Sequence, residues 1–206
     1  MSKAATKPAT LSDVTRPSPE EAKEAVRTLI RWAGDNPARE GLLDTPQRVI
    51  DAYQEFYAGY AENPDDILAK TFEDVADYDE IVLLKNMDFE SHCEHHMVPI
   101  IGRAHIAYLP NKKVVGISKI ARLLDVFAKR LQTQEIMTKQ IADAIERALQ
   151  PKAIAVVIDA KHECMTTRGV HKSGTTTVTS QMRGLFRSDP KSRAEVLQLI
   201  GSPEIG

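Results

Sequence analysis

The stretch Pro99-Ile100-Ile101-Gly102-Arg103-Ala104-His105-Ile106-Ala107-Tyr108-Leu109 alternates, with Ile101, Arg103, His105 and Ala107 on one side and Gly102, Ala104, Ile106 and Tyr108 on the other. A period of two is that of a strand. Upstream, Ile81 to Phe89 predicts a second strand, and downstream Val114 to Ile117 a short one. Two helices are predicted next. Ser118 to about Arg130 gathers Ile120, Leu123, Leu124, Phe127 and Leu131 on one face, and Gln134 to Leu149 carries Ile136, Ile141, Ala144, Ile145 and Leu149 before Pro151. Ile154 to Asp159 reads as a buried strand running into His162 and Cys164, Gly174 to Phe186 as a long last strand, and Lys191 to Ile200 as a closing helix. Four strands in antiparallel pairs, covered by two long helices, predict an α+β fold.

The N-terminal part reads differently. Residues 1–17 are polar and aperiodic and predict a loose tail. Ser18-Pro19-Glu20-Glu21 has the form of a helix start, predicting a helix to about Ala33 with Ala25, Leu29 and Trp32 buried, ended by Gly34-Asp35-Asn36-Pro37. Asp44-Thr45-Pro46 begins a second helix with Val49, Ile50, Tyr53, Phe56 and Tyr57 at helical spacing. The expected organisation is a tail at 1–17, a helical region at 18–75 and a sheet-bearing domain at 76–206.

Composition bounds the function. With 206 residues, 42% hydrophobic and 27% charged, the chain can bury a substantial core. No apolar run approaches the roughly 20 residues that span a bilayer, which with the absence of a signal-like start and the two thiols makes cytoplasm the expected location and no membrane contact the expectation. A net charge of −2 argues against general nucleic-acid binding.

The chemistry sits in two clusters. Cys93-Glu94-His95-His96 lies between the first two long strands, and His162-Glu163-Cys164 follows the third. These are the only two cysteines, and of the six histidines all but His105 lie near one of them. Thiolate and imidazole suit Zn²⁺, which in catalytic sites takes three protein ligands and activates a water. Cys93 and His96, three apart, fall on one side of a tight turn, and Cys164 can supply a third ligand. Two buried free thiols, a single disulfide, or a closed four-ligand site that adds His95 or His162 are the alternatives left open by the residues alone. Neither G-x-x-x-x-G-K-[ST] nor G-x-G-x-x-G occurs, so any phosphate must be met by other cations. Ser118, Lys119 and Arg122 open a predicted helix whose first amides favour anions, and Arg168 stands near the second cluster.

Four segments together resemble GTP cyclohydrolase I over roughly residues 20 to 200. They are Ser91 with the Cys-Glu-His-His run, Gly116-Ile117-Ser118-Lys119-Ile120-Ala121-Arg122, Gln132-Thr133-Gln134-Glu135, and His162-Glu163-Cys164-Met165-Thr166-Thr167-Arg168-Gly169. Asn36 to Pro46 is similar to that family's N-terminal helical region. The resemblance implies hydrolytic opening of the guanine imidazole ring of GTP, loss of C8 as formate, and recyclisation to 7,8-dihydroneopterin triphosphate. It also implies the tunnelling fold, in which sheets of several subunits form a barrel, and a homo-oligomer, usually a decamer with active sites between subunits. Carried over residue by residue, Cys93, His96 and Cys164 bind zinc, His95, His162 and Ser118 are catalytic, and Gln134, Glu135, Lys119, Arg122, Arg168 and Arg48 contact GTP. The chain departs from the pattern at Asp51, where some members carry a phosphate-binding lysine, leaving Arg48 as the cation of that turn. Ile136 and His171 also depart, and His92 is not expected to be a ligand.

Overall fold

The computed structural model describes residues 14–72 and 78–203. The chain divides into two compact units, Met1–Gln54 and Glu55–Gly206. In the first, α1 (Pro19–Trp32) starts on a capping box: the Ser18 amide donates to Glu21 Oε2 at 2.8 Å and the Glu21 amide to Ser18 Oγ at 3.3 Å. A turn at Glu40–Leu42 leads to α2 (Thr45–Phe56). The expected burial of α1 does not hold. Ala25 is exposed, and Leu29 and Trp32 are 64% and 87% exposed, because no layer of the same unit covers the stripe that their spacing creates. Of the expected tail, residues 1–13 lie outside the described residues.

The second unit is built on one sheet. After α3 (Pro64–Leu68), the two-residue strand β1 (Thr71–Phe72) pairs with β4 (Val114–Val115), so the short strand expected at Val114 to Ile117 belongs to a separate small ribbon. The main sheet has the order β5-β2-β3-β6-β7, with β2 Val82–Cys93, β3 Pro99–Leu109, β5 Leu131–Gln132, β6 Ala153–His162 and β7 Thr177–Gly184. It is therefore five-stranded and mixed, where four antiparallel strands were expected. The extra strand is the two-residue link between α4 (Ile117–Ala128) and α5 (Gln134–Leu149), which runs parallel to the end of β2. The last strand is shorter than expected, since the chain turns at Gly184 into α7 (Leu185–Ser188) and then α8 (Pro190–Gly201).

Alternation sets the two faces. Ile100, Ala104, Ile106 and Tyr108 of β3 and Ile154, Val156, Ile158 and Ala160 of β6 pack under Ile120, Leu123, Leu124 and Phe127 of α4 and Met137, Ile141, Ile145 and Leu149 of α5. Met137 occupies the core position expected of Ile136, which is 47% exposed. On the opposite face Ala107, Ala153, Ala155 and Met182 are covered by Phe186 and Val196 of α7 and α8. A bulge between Leu84 and Met87 places Asn86 at φ +56°, and its amide donates to His105 Nδ1 at 3.2 Å. Burial holds His105 below the ordinary histidine pKa, with Asp159 partly opposing. A histidine kept neutral by the fold takes up its proton more readily unfolded, so its contribution is full above the unfolded pKa of about 6.5 and is lost as pH falls through that value toward the lower folded one. Chemical denaturation of metal-free protein at pH 7.5 and 5.5 is expected to show a fall in stability on acidification that is smaller in His105→Gln; an equal fall in both would show that burial of a neutral His105 does not contribute.

Candidate metal centre and active site

Sheet register explains why distant residues meet. Ile100 of β3 faces Ser91 of β2 on one side and His162 of β6 on the other. Both neighbours run antiparallel to β3, so both end beside its first residues. Two residues further on in each chain segment lie Cys93 and Cys164. Cys93 is the last residue of β2 and is buried, its amide donating to the Val98 carbonyl at 2.9 Å while Glu94 bonds to Gln132 of β5 at 3.0 Å. The turn then closes tightly, with the Met97 amide on the Cys93 carbonyl at 2.7 Å and Met97 itself at φ +55°. Cys164 sits on the helical turn α6 (Glu163–Thr166) that follows β6 directly.

One ligand atom each from Cys93, His96 and Cys164 lies within 4.8 Å of the others. Both cysteines are free thiols, which removes the disulfide alternative. His96 places Nδ1 4.0 Å from Cys93 Sγ, and the Arg168 guanidinium donates to its Nε2 at 3.1 Å. His95 Nδ1 is 3.8 Å from the same sulfur, but its ring is largely exposed and it is outside the trio. Burial raises the Cys164 thiol pKa, and the neighbouring Cys93 raises it further, because two thiolates side by side repel. A divalent cation between them reverses that sign. The donor set, two sulfurs and an imidazole, is that of a soft or borderline transition metal and fits zinc.

Around the trio the expected residues divide. His162 is half-buried, its pKa lowered by burial and raised in part by the Glu135 charge. Its Nε2 bonds to Gln134 Oε1 at 2.8 Å. Glu135, in the first turn of α5, is exposed, and no hydrogen bond or ion pair holds its carboxylate among the described residues. Ser118 and Lys119 lie in the first turn of α4, with Arg122 one turn on, and none of the three has a side-chain partner among the described residues. Arg48, in the other unit, is held by Asp44 at 3.3 Å. His92 is buried against Phe56 and Tyr57 with ring centroids at 4.6 and 5.4 Å, and belongs to the core beside the site rather than to the ligands. Gln134 differs most from expectation. It is fully buried, and its amide is satisfied by protein groups, so it has no hydrogen left to offer a ligand. Sequence reading did not separate it from its exposed neighbour Glu135; the signal was position, since the first turn of α5 faces β6 and β7 on one side only.

These features define a class, an α+β protein with a Cys-His-Cys constellation able to hold a metal ion at one end of its sheet. A family model described as GTP cyclohydrolase I matches residues 22–201. The chain is 59% identical over 186 residues to the GTP cyclohydrolase 1 of Maricaulis maris (strain MCS10), covering 90% of this chain and 91% of that one. It is 59% identical over 188 residues to that of Hyphomonas neptunium (strain ATCC 15444), with 91% of each covered, and 55% identical to that of Allorhizobium ampelinum (strain ATCC BAA-846 / DSM 112012 / S4), with 91% and 94% covered. The chain belongs to the GTP cyclohydrolase I family. No helix among the described residues is long and apolar enough to cross a membrane.

Proposed function

We propose that this chain converts GTP to 7,8-dihydroneopterin triphosphate with release of formate, the first step of pterin and folate biosynthesis, using a zinc ion held by Cys93, His96 and Cys164. The observation that carries the reading is the convergence of three soft donors within 4.8 Å beside a histidine that is itself held by a buried amide. Three protein ligands leave a coordination position open, and the ion, when bound, supplies Lewis acidity and a water that ionises near neutral pH.

The chain's own residues do the rest. C8 of a purine accepts a nucleophile only when N7 carries a proton or a strong hydrogen bond, and His162 serves as the acid for that transfer. His95 exchanges protons during ring opening and the later sugar rearrangement. The Glu135 carboxylate accepts the two parallel donors of guanine, N1–H and the 2-amino group. Lys119, Arg122 and Arg168 meet the triphosphate, with Ser118 at the same helix start and Arg48 as a further cation. The reading includes a homo-oligomer, a decamer of barrel-forming sheets with sites between subunits. Among the described residues β7 is an edge strand of the main sheet, which supports pairing with another copy.

Zinc-loaded protein given GTP is expected to develop a pteridine absorbance and release one formate per turnover; a metal-replete chain that leaves the spectrum unchanged would overturn the assignment. Glu135→Gln can accept only one of the two guanine donors in the same orientation and loses the charge. It is expected to lower kcat/KM for GTP by about 10- to 100-fold, chiefly through KM, the range for hydrogen bonds to a charged group. Steady-state kinetics at parental metal content checks it, and an unchanged KM would remove Glu135 from the guanine site.

A further inference from the structure

We propose that Gln132 is a positioning residue for this reaction: its buried side-chain amide fixes the spacing between the metal centre and Glu135, and so where C8 of a bound guanine stands relative to the ion. The inference rests on the metal and guanine roles given above to Cys93, His96, Cys164 and Glu135. Those two subsites meet in the chain at Gln132. In β5 it pairs with Cys93, the last residue of β2, and its main-chain carbonyl accepts the Glu94 amide at 3.0 Å. The next residue, Thr133, caps α5, its hydroxyl accepting from the Ile136 amide at 3.4 Å, and Glu135 stands in the first turn. Gln132 is therefore the point at which the chain leaves the metal turn and enters the helix that carries the guanine carboxylate.

A two-residue strand has little ladder to hold it, and the side chain does the rest. Gln132 is 3% exposed, and its Nε2 lies 2.9 Å from the Phe127 carbonyl and 3.0 Å from Gln140 Oε1. A main-chain carbonyl only accepts, so the nitrogen must occupy that end of Gln132, and Gln140 must present its oxygen. Both amide hydrogens are thereby used, one on each partner. Phe127 lies in the last turn of α4, and the two amides that could close a helical bond to its carbonyl are engaged elsewhere. Arg130 donates to the Ala128 carbonyl at 2.8 Å and Leu131 to the Tyr60 hydroxyl at 3.1 Å. The Gln132 amide thus satisfies an orphan carbonyl at the end of α4 and ties it to the second turn of α5. Without it, a buried acceptor loses its donor and the start of α5 is free to shift against the end of β2. Neither the metal ligands nor Glu135 bonds to this amide, so both subsites keep their residues and only the distance between them changes.

Methionine has the length of glutamine and no donor. In zinc-loaded enzyme Gln132→Met is expected to lower kcat by about 10- to 100-fold, the cost of displacing reacting groups by up to about 1 Å, with KM for GTP unchanged. Gln140→Met removes one of the two ties and is expected to lower kcat less, while Gln140→Glu, whose carboxylate still accepts from Gln132, keeps the parental value. The distance itself is read without turnover. In 7-deaza-GTP a carbon replaces N7 and cannot be protonated, so the ring stays closed, and cobalt(II) in place of zinc relaxes the H8 proton more strongly the nearer it stands. That relaxation is expected to weaken in Gln132→Met and to stay parental in Gln140→Glu, with the cobalt–thiolate absorption parental in both. Parental kcat and relaxation in Gln132→Met would overturn the proposal. So would an altered cobalt–thiolate absorption, which would mean that the amide supports the ligands themselves. Should Gln132→Met not fold, the Gln140 pair decides, since equal kcat in Gln140→Met and Gln140→Glu overturns the proposal. A metal-loaded parent that forms no pteridine overturns the enzyme reading, and the relaxation still decides whether Gln132 sets the distance from metal to nucleotide.

Discussion

Cys164→Ala is expected to lose zinc on dialysis against a weak chelator and to turn over GTP far more slowly than the parent, well beyond the roughly 100-fold that loss of an outer-shell partner brings. Two of the three proposed ligands, Cys93 and His96, remain in this variant, and they come from the end of β2 and the turn that follows it. The third donor comes from a different strand, so its removal reduces the site to a chelate of one short loop. Cys164 is half-buried on a four-residue helical turn and packs against the margin of the larger apolar cluster, where alanine removes one sulfur and leaves the fully buried residues of the cluster in place. Metal-free parent and variant should therefore unfold at similar denaturant concentrations, while zinc stabilises only the parent. Cobalt substitution gives an independent readout, since each thiolate contributes to the charge-transfer absorption and the variant should retain at most the Cys93 share. A variant holding one zinc per chain with parental turnover would show that Cys164 is not a ligand.

The core of that site was legible because its residue types are rare and clustered. Cysteines next to histidines stand out in a chain with only two thiols, and strand alternation at Pro99 to Leu109 placed the clusters at the ends of neighbouring strands. What sequence could not supply was register. Nothing local says that Ser91 and His162 both face Ile100, although that pairing brings the sulfurs together. The same limit hid the role of Gln134, adjacent in sequence to Glu135 but on the opposite side of a helix start. It also hid β5, since a two-residue strand has no period to read. The α1 stripe failed in the other direction: Leu29 and Trp32 have the spacing of a buried face, and spacing reports that a face is apolar without saying what covers it.

Register also makes Gly102 the position where a single added carbon should do the most damage. It lies directly opposite Ala160 of β6, two residues from the Ile100 and His162 pair, and on the helix-covered face. A Cβ at Gly102 would stand 2.5 Å from the Ala160 Cβ and 2.6 Å from its Cα. Ordinary cross-strand neighbours keep their Cβ atoms about 4.5–5.5 Å apart, so β3 and β6 approach more closely at this pair than side chains on both would allow. The obstructing atoms are backbone and a methyl group, which cannot swing aside, and α4 and α5 close the face above. Gly102→Val must therefore part the two strands, and overpacking of this kind is expected to lower stability by about 2–3 kcal/mol, read from denaturant midpoints of metal-free protein. Because the displaced strands carry His162 and lead to Cys164, zinc affinity should fall with stability, which a defect confined to the hydrophobic core would not produce. Gly174→Ala is the control, since an added Cβ there meets nothing within 4 Å. Parental stability and zinc affinity in Gly102→Val would mean that the close approach of β3 and β6 is not what sets the spacing of the metal ligands.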